Sequence, residues 1–255
     1  MKVFLINLDS DIDRLNVADA QLCRLDVYYE RFPAVYAKAM QSAEKNKKVN
    51  RFRWWCANGR KILDGELGCA LSHMGIYRKM LAEGIEKACI LEDDVVIDNR
   101  FPMVLANLEK QYDPNTPHVV LLSNHMEPPK GQVGDPFVGY LTEPGLNDFR
   151  VEFCGWDTFA EGYVIGTAAA KAILSQNDPI IAPCDSWCRW QDNGAIKLYR
   201  AYPTVCCQNK YGFESNMLSD AFLSKDLPTL KRFWYKVQRF IGLKIDQMLR
   251  RVTGR

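Results

Sequence analysis

The sequence lacks the features that mark several specialised classes of protein. No stretch of its 255 residues approaches the roughly 20 consecutive apolar residues that a membrane-spanning helix needs. It also lacks a large charge surplus, because 33 Lys and Arg face 31 Asp and Glu, and this near balance disfavours nucleic acid as a partner. A hydrophobic content of 47% excludes a disordered chain. We therefore expect a globular protein with one large domain or two small ones.

Histidine is scarce and the cysteines are scattered, which disfavours a structural zinc site. The chain has three histidines and nine cysteines, and no histidines are spaced to complete a site with the close cysteine pairs at 184/188 and 206/207. The apolar run at the amino terminus is too short for a signal peptide and is soon followed by Asp9. An odd number of cysteines without an export signal indicates thiols in a reducing cytoplasm.

Strand and helix patterns alternate over the first half of the chain. Apolar, β-branched runs predict strands at 2–8, 27–35, 87–91, 118–123, 162–165 and 195–201. Helical spacing of apolar residues predicts helices at 12–25, 67–81, 101–112 and 167–176, with Gly84 as a C-terminal cap of the second. We expect loops at 38–61 and 127–149, a short strand at 137–141, and a turn leading into a short helix at 183–191. The alternation predicts an α/β fold with a largely parallel sheet.

Three adjacent carboxylates, Glu92, Asp93 and Asp94, follow the predicted strand at 87–91. In parallel sheets, ligands bind at the carboxyl ends of strands, and Asn7 occupies a similar position after the first strand. Their mutual repulsion is commonly relieved by a hard divalent cation. If the segment is extended, Glu92 and Asp94 share one ion, while Asp93 points to the other side toward a supporting or sugar-facing role. The alternative is an acidic surface loop.

The segments 65–73 (Gly-Glu-Leu-Gly-Cys-Ala-Leu-Ser-His) and 90–94 (Ile-Leu-Glu-Asp-Asp), taken together, resemble glycosyltransferase family 25. This is the family of bacterial lipooligosaccharide galactosyltransferases. The opening at 6–9, with Arg14 shortly after, is similar to the family's first motif, and further matches continue in order to about residue 217. The chain departs from the family pattern at Gly162 and Gly166, which bears on the sugar pocket.

This resemblance implies a GT-A fold, a divalent metal (Mn²⁺ or Mg²⁺) and inversion at the anomeric carbon. It makes Glu92 and Asp94 the metal ligands. The donor-binding residues that it implies are Asn7, Leu8, Arg14, Ser72, His73 and Asp93. Two of these have an ordinary structural alternative, because Arg14 fits a solvated helix face and His73 fits a helix core. A functional His73 would orient a carboxylate or contact phosphate.

An inverting transfer needs a base that takes the proton of the acceptor hydroxyl. Asp185 matches the family and is the preferred base, and its alternative role is to cap the following short helix. The other candidates are Asp157 and Glu161 as less favoured bases, and Gln208 and Ser215 beside the metal or diphosphate.

The carboxyl-terminal segment 225–255 carries a net charge of +7, which leaves −5 for residues 1–224. We predict a GT-A-like catalytic domain at 1–224 and a basic amphipathic helix at 225–255. Trp and Phe among Lys and Arg suit an anionic membrane surface, which residues 229–252 would contact. The alternative is a helix docked on the catalytic core.

Together these features predict an inverting transferase that moves galactose from UDP-galactose to a lipooligosaccharide, with a terminal GlcNAc or Glc and a β1,4-type linkage. A lipid-linked oligosaccharide acceptor places the protein in the cytoplasm, peripherally associated with the inner membrane. The alternatives are a transferase for another UDP-sugar, a nucleotide- or metal-binding module without transfer activity, and a cation-dependent hydrolase.

Overall fold

The computed structural model describes residues 1–123, 149–155 and 157–209, together with Lys244, Ile245 and Met248. The strands are β1 (Lys2–Asn7), β2 (Glu30–Pro33), β3 (Lys87–Glu92), β4 (Val95–Ile97), β5 (His118–Leu121), β6 (Arg150–Phe153), β7 (Gly162–Gly166), β8 (Lys197–Tyr202) and β9 (Cys206–Gln208). The helices are α1 (Ile12–Arg24), α2 (Ser42–Lys48), α3 (Arg51–Asn58), α4 (Asp64–Glu83), α5 (Phe101–Gln111), α6 (Thr167–Asn177) and α7 (Trp187–Asp192).

The central sheet has seven strands in the order β2-β1-β3-β7-β5-β8-β6. Parallel pairing joins β1 to β2, β1 to β3 and β5 to β8, whereas β7 is antiparallel to both β3 and β5, and β6 is antiparallel to β8. Strands β2, β1, β3, β5 and β8 therefore share one direction, and β7 and β6 run the other way. This confirms the predicted α/β fold with a largely parallel sheet, into which two reversed strands are inserted.

The register of the sheet sets which residues meet at its functional edge. Parallel pairing aligns Ile6 with Glu92, so that the carboxyl ends of β1 and β3 lie side by side. Because β7 is reversed, its beginning lies at the same edge, and the Glu92 amide donates to the carbonyl oxygen of Glu161 at 3.0 Å. Ser123, just beyond β5, falls opposite Glu161 by the same register. Residues distant in sequence are thereby gathered at one edge.

Both faces of this sheet are buried. One face packs against α1 and α5, whose Leu22 and Phe101 are fully buried with Leu5 and Leu91 of the strands. Each such apolar side chain contributes about 1.5–3 kcal/mol on burial. Tyr163 of β7 lies on the opposite face, where it bonds to side chains of α4.

Two glycines, one within α4 and one directly after it, have specific structural roles. A Cβ atom on Gly75 would lie 2.8 Å from the Phe32 ring, so the missing side chain permits close contact between α4 and β2. Gly84, with φ of +67°, directly follows the helix in a conformation that favours glycine, as predicted for a cap.

The described chain divides into two compact units, and the whole seven-stranded sheet lies in the first, residues 1–34, 72–173 and 185–214. The second contains residues 35–71 and 174–184 among those described. In it, Val49 pairs with Ile180, and the sulfur atoms of Cys69 and Cys184 lie 3.2 Å apart.

The segment at 38–61, predicted as a loop, contains the short helices α2 and α3. The Asn50 side chain caps α3 by accepting from the Arg53 amide, and Gly59 ends it with φ of +69°. Trp54 and Cys56 are buried, which anchors the helix although the segment shows no clear apolar period.

Strands β4, β6 and β9 were not expected from the sequence. Six predictions lie outside the described residues: the loop at 127–149 except for its last residue, the strand at 137–141, the role of Ser215, the stacking of the Trp156 ring on a sugar, the domain boundary at 224/225 and most of the helix at 225–255. Within the described chain, no helix combines the length and apolar character that a bilayer span requires.

Candidate functional site

Asp93 is held by the first strand and helix. Its Oδ2 accepts a hydrogen bond from Asn7 Nδ2 at 2.8 Å, and its Oδ1 pairs with the Arg14 guanidinium at 3.1 Å. Burial raises the pKa of the Asp93 carboxyl, and the bonds from Asn7 and Arg14 oppose the rise. Asn7 and Arg14, which the sequence predicts to belong to the donor site, are thus in contact with the acidic motif. Arg14 is half-buried and paired rather than solvated.

Arg31 is a part of this corner that the sequence reasoning missed. Its Nε donates to Asn7 Oδ1 at 3.0 Å, and a terminal nitrogen donates to the Asn7 carbonyl at 3.2 Å and to Asp9 at 2.5 Å. The signal for it is a basic residue on the strand that pairs in parallel with β1. Leu8, also predicted for the donor site, is half-buried between Asn7 and Asp9.

Asp94 is attached to the other side of the site, through the two-stranded sheet of β4 and β9. Gln208 Nε2 donates to Asp94 Oδ2 at 2.9 Å, and the Asn209 amide donates to the Asp94 carbonyl at 2.7 Å. The Oδ1 atom of Asp94 is buried and has no hydrogen-bond partner among the described residues. Burial, and then the charge of Glu92, raise the pKa of Asp94 to about 7.

Glu92 contacts a third element. Its Oε1 lies 3.1 Å from His73 Nε2, and His73 Nδ1 lies 2.7 Å from the Tyr163 hydroxyl. His73 is 1% exposed, so it is both a buried core residue and a partner of the acidic motif. Ser72, the other helical candidate, is fully buried.

The acidic segment turns at Asp93 and Asp94, so the expected extended geometry is wrong. Each of the three carboxylates faces a different element, because Asp93 contacts β1 and α1, Asp94 contacts β9, and Glu92 contacts α4. The charge of Glu92 nevertheless raises the pKa of Asp94 more than the adjacent Asp93 does. Among the neighbouring charges, that of Glu92 therefore has the largest effect on the pKa of Asp94.

Glu161 brings a further carboxylate to this edge. It is 4% exposed, directly precedes β7, and accepts a hydrogen bond from Ser123. Burial, together with the charges of Glu92 and Asp94, raises the pKa of Glu161 to about 8. The geometry associates Glu161 with the acidic motif, whereas the sequence had offered it as a less favoured base.

The donor set suits a divalent cation. Glu92, Asp94 and Glu161 offer carboxylate oxygens, the ligand type that Mn²⁺ and Mg²⁺ favour. The unpartnered Oδ1 of Asp94 and the raised pKa values of Asp94 and Glu161 indicate that the protein alone does not stabilise the ionised form of these carboxylates, which a bound cation would do. The residues present therefore fit a bound metal ion.

Asp157 is committed to the fold. It is 1% exposed, forms an ion pair with Arg200, and its Oδ1 accepts the amides of Thr158 and Phe159 at 2.6 and 3.3 Å. Arg200 also donates to the Ser123 carbonyl at 3.0 Å. These bonds hold the segment that leads to Glu161, so Asp157 supports the site rather than presenting an accessible base.

Asp185 lies just before α7 and is half-buried. Ser186, and not Asp185, occupies the N-cap position of that helix, so the simple capping alternative is wrong. Trp187 follows two residues later, with its ring centroid 4.9 Å from that of Tyr163 and its indole N–H donating to the Phe159 carbonyl at 2.7 Å. Asp185 is therefore tied to the segment that packs on Tyr163.

Several known proteins are similar to this chain in sequence. "Procollagen galactosyltransferase 1-A" of Xenopus laevis is 27% identical over 183 residues, which cover 71% of this chain and 29% of that protein. "Procollagen galactosyltransferase 2" of Homo sapiens is 21% identical over 239 residues, 86% of this chain and 37% of that protein. "Lipooligosaccharide biosynthesis protein lex-1" of Haemophilus influenzae is 24% identical over 176 residues, 66% of this chain and 57% of that protein.

These matches span about a third of each procollagen galactosyltransferase and a little over half of the Haemophilus protein. A family-wide comparison matches residues 1–188 to "Glycosyltransferase family 25 (LPS biosynthesis protein)". That range holds β1, the acidic motif, β7 and Asp185, and covers most of the 255 residues. The chain belongs to glycosyltransferase family 25.

Proposed function

We propose that this protein is a metal-dependent, inverting glycosyltransferase that moves galactose from UDP-galactose to a saccharide acceptor. The observation that carries the proposal is the gathering of Glu92, Asp94 and Glu161 at the edge where β1 ends. Galactosyltransferase appears in the names of two of the relatives above, which favours galactose among UDP-sugars.

Glu92 and Asp94 would hold the metal, and Glu161 is a candidate third ligand. When bound, the ion would neutralise charge that develops on the departing diphosphate. Asn7 and Arg14 would form the nucleotide end of the donor site, and Asp93 ties them to the acidic motif. Arg31 stabilises this arrangement by holding both oxygen atoms of Asn7.

Asp185 is the proposed general base. In an inverting step, the acceptor hydroxyl oxygen bonds to the anomeric carbon while the bond from that carbon to the UDP oxygen breaks. Asp185 accepts the hydroxyl proton, so UDP and an inverted glycoside are the products. Its half-buried position leaves the carboxylate partly accessible.

The acceptor proposal is a lipid-linked oligosaccharide with a terminal GlcNAc or Glc, joined through a β1,4-type linkage. It is supported by the name of the Haemophilus relative and by the net charge of +7 over 225–255. Residues 229–252 would contact the anionic surface of the inner membrane from the cytoplasmic side.

A donor and metal panel tests the proposal. The protein is incubated with UDP-galactose, UDP-glucose or UDP-GlcNAc, each with Mn²⁺, Mg²⁺ or EDTA, and with GlcNAc- and Glc-terminated acceptors. NMR of the product gives the linkage, and we expect a β-galactoside that forms only with metal. An α-linked product would exclude inversion, and another preferred donor would replace galactose.

Two further outcomes identify the rival functions. UDP binding without turnover supports a nucleotide-binding module, and release of free sugar without an acceptor product supports a hydrolase. Asp185→Asn should lower kcat by about 100-fold or more while UDP and Mn²⁺ affinities stay unchanged. Asp192→Asn is the matched control, because Asp192 is an exposed residue at the end of α7. Equal activity of the two variants would remove Asp185 from the mechanism.

A further inference from the structure

A chain of buried side chains runs from the core to Glu92. The hydroxyl oxygens of Tyr77 and Tyr163 lie 2.7 Å apart, and Tyr163 is in turn 2.7 Å from His73 Nδ1. His73 Nε2 then reaches Glu92 Oε1 at 3.1 Å. Tyr77, Tyr163 and His73 are at most 2% exposed, whereas the Glu92 side chain is 23% exposed. The chain is therefore open to solvent at the acidic end.

The hydrogen atoms along this chain can be placed by donor and acceptor chemistry. An ionised Glu92 only accepts, so His73 Nε2 must carry the proton of that bond. In a neutral imidazole Nδ1 then accepts from the Tyr163 hydroxyl, whose oxygen accepts from Tyr77. Every bond points toward Glu92, and the Tyr163 hydroxyl stabilises the His73 tautomer that donates to the carboxylate.

Aromatic packing fixes the middle of this chain. The His73 and Tyr163 rings are nearly parallel, at an angle of 17° and a centroid distance of 5.7 Å. The Trp187 ring packs against the Tyr163 ring at an interplanar angle of 66°, and its indole N–H donates a hydrogen bond to a backbone carbonyl. These contacts restrict the position of the Tyr163 hydroxyl, and its hydrogen bond in turn restricts the orientation of the His73 imidazole.

We propose that Tyr163, with Tyr77 behind it, acts through His73 as a positioning residue that holds the Glu92 carboxylate ready for the metal ion. The inference rests on the proposed function, in which Glu92 is a metal ligand. Partners of this kind orient a ligand, and their removal weakens metal affinity about 10- to 100-fold. A chain that only stabilised the core would have no such effect on the metal.

The test compares hydroxyl deletions at two buried tyrosines. Tyr163→Phe removes the hydroxyl that hydrogen-bonds His73 Nδ1. Tyr112→Phe is the matched control, since Tyr112 is also buried in the sheet unit but donates to the backbone carbonyl of His118. Mn²⁺ affinity is measured by calorimetry without substrates, and thermal unfolding is measured in EDTA.

We expect Tyr163→Phe to weaken Mn²⁺ binding by 10-fold or more, whereas Tyr112→Phe loses stability and keeps wild-type affinity. Tyr77→Phe, at the far end, should give a smaller loss and serves if Tyr163→Phe does not fold. His73→Gln, which keeps a donor toward Glu92, should retain more affinity than His73→Ala. Wild-type affinity in Tyr163→Phe (or in Tyr77→Phe, if Tyr163→Phe does not fold), or equal weakening by Tyr112→Phe, overturns the inference.

Glu92→Gln separates this inference from the proposed metal site. If Glu92→Gln loses Mn²⁺ binding while Tyr163→Phe keeps it, only the positioning role fails. If Glu92→Gln binds Mn²⁺ as tightly as wild type, or the wild type binds none, the metal assignment fails and the inference fails with it.

Discussion

Replacing Asp94 by Asn should stabilise the protein in EDTA and remove its response to metal. The carboxylate has one partner, Gln208, and its Oδ1 is buried without another among the described residues. An Asn side chain keeps an oxygen that can accept from Gln208, and it carries no charge. The substitution removes the repulsion by Glu92 without deleting volume.

The raised pKa gives the magnitude of this effect. The pKa of Asp94 rises from 3.8 to about 7, and each pKa unit corresponds to about 1.4 kcal/mol, so ionising Asp94 costs the folded state at most about 4 kcal/mol. The cost is absent below the unfolded pKa, grows as pH rises, and is complete above pH 7. Even 2 kcal/mol would raise the Tm of Asp94→Asn over wild type by about 4–8 °C at pH 8.

Thermal unfolding from pH 4 to pH 8, in EDTA and in Mn²⁺, measures this difference. The Tm values of Asp94→Asn and wild type should converge near pH 4 and separate as pH rises. Saturating Mn²⁺ at 100 times its Kd should stabilise wild type by about 2.7 kcal/mol and leave the variant unchanged.

Asp98→Asn is the control for Asp94→Asn. Asp98 is also a buried aspartate but forms an ion pair with Arg100, so its removal should destabilise the protein and preserve the Mn²⁺ response. The reasoning is wrong if Asp94→Asn is less stable than wild type at pH 8 in EDTA and still gains stability from Mn²⁺.

Three further predictions concern the support of the site and the tail. Asp157→Asn should cost about 3 kcal/mol in urea unfolding, because it leaves Arg200 without its ion pair, and should not change Mn²⁺ affinity; a loss of affinity alone would contradict the supporting role. Gly75→Ala should cost about 1–3 kcal/mol in the same assay, because its Cβ would lie 2.8 Å from the Phe32 ring; an unchanged midpoint would show that the ring moves freely. Deleting residues 229–255 should abolish co-sedimentation with anionic vesicles, and undiminished binding would reject the membrane role of that segment.

Much of the corner formed by Asn7 and the acidic motif could be predicted from the sequence. The strands that became β1 and β3 are continuous apolar runs, and Asn7 and Glu92 end them directly. Two parallel neighbours must present their carboxyl ends together, so proximity of Asn7 to the acidic motif follows from local pattern and one general rule.

The other half of the site depends on strand order, which local pattern does not contain. Glu161 reaches the acidic motif only because β7 is inserted, reversed, between β3 and β5. The pairing of His73 with Tyr163 depends on the same insertion, across 90 residues. Strands β4 and β9 have three residues each, too few for a periodic signal, although they bring Gln208 to Asp94.

The reversed strand β7 also determines how this edge of the protein can vary. At this edge each of the parallel strands ends and the chain leaves the sheet, whereas β7 begins there. The connection that precedes β7 therefore ends at Glu161. This residue lies beside the acidic motif, which is about 70 residues earlier in the sequence. Insertions or deletions in that connection alter the surroundings of Glu92 while the pairing of β1 with β3 stays intact, so the two ends of the site can diverge independently among relatives.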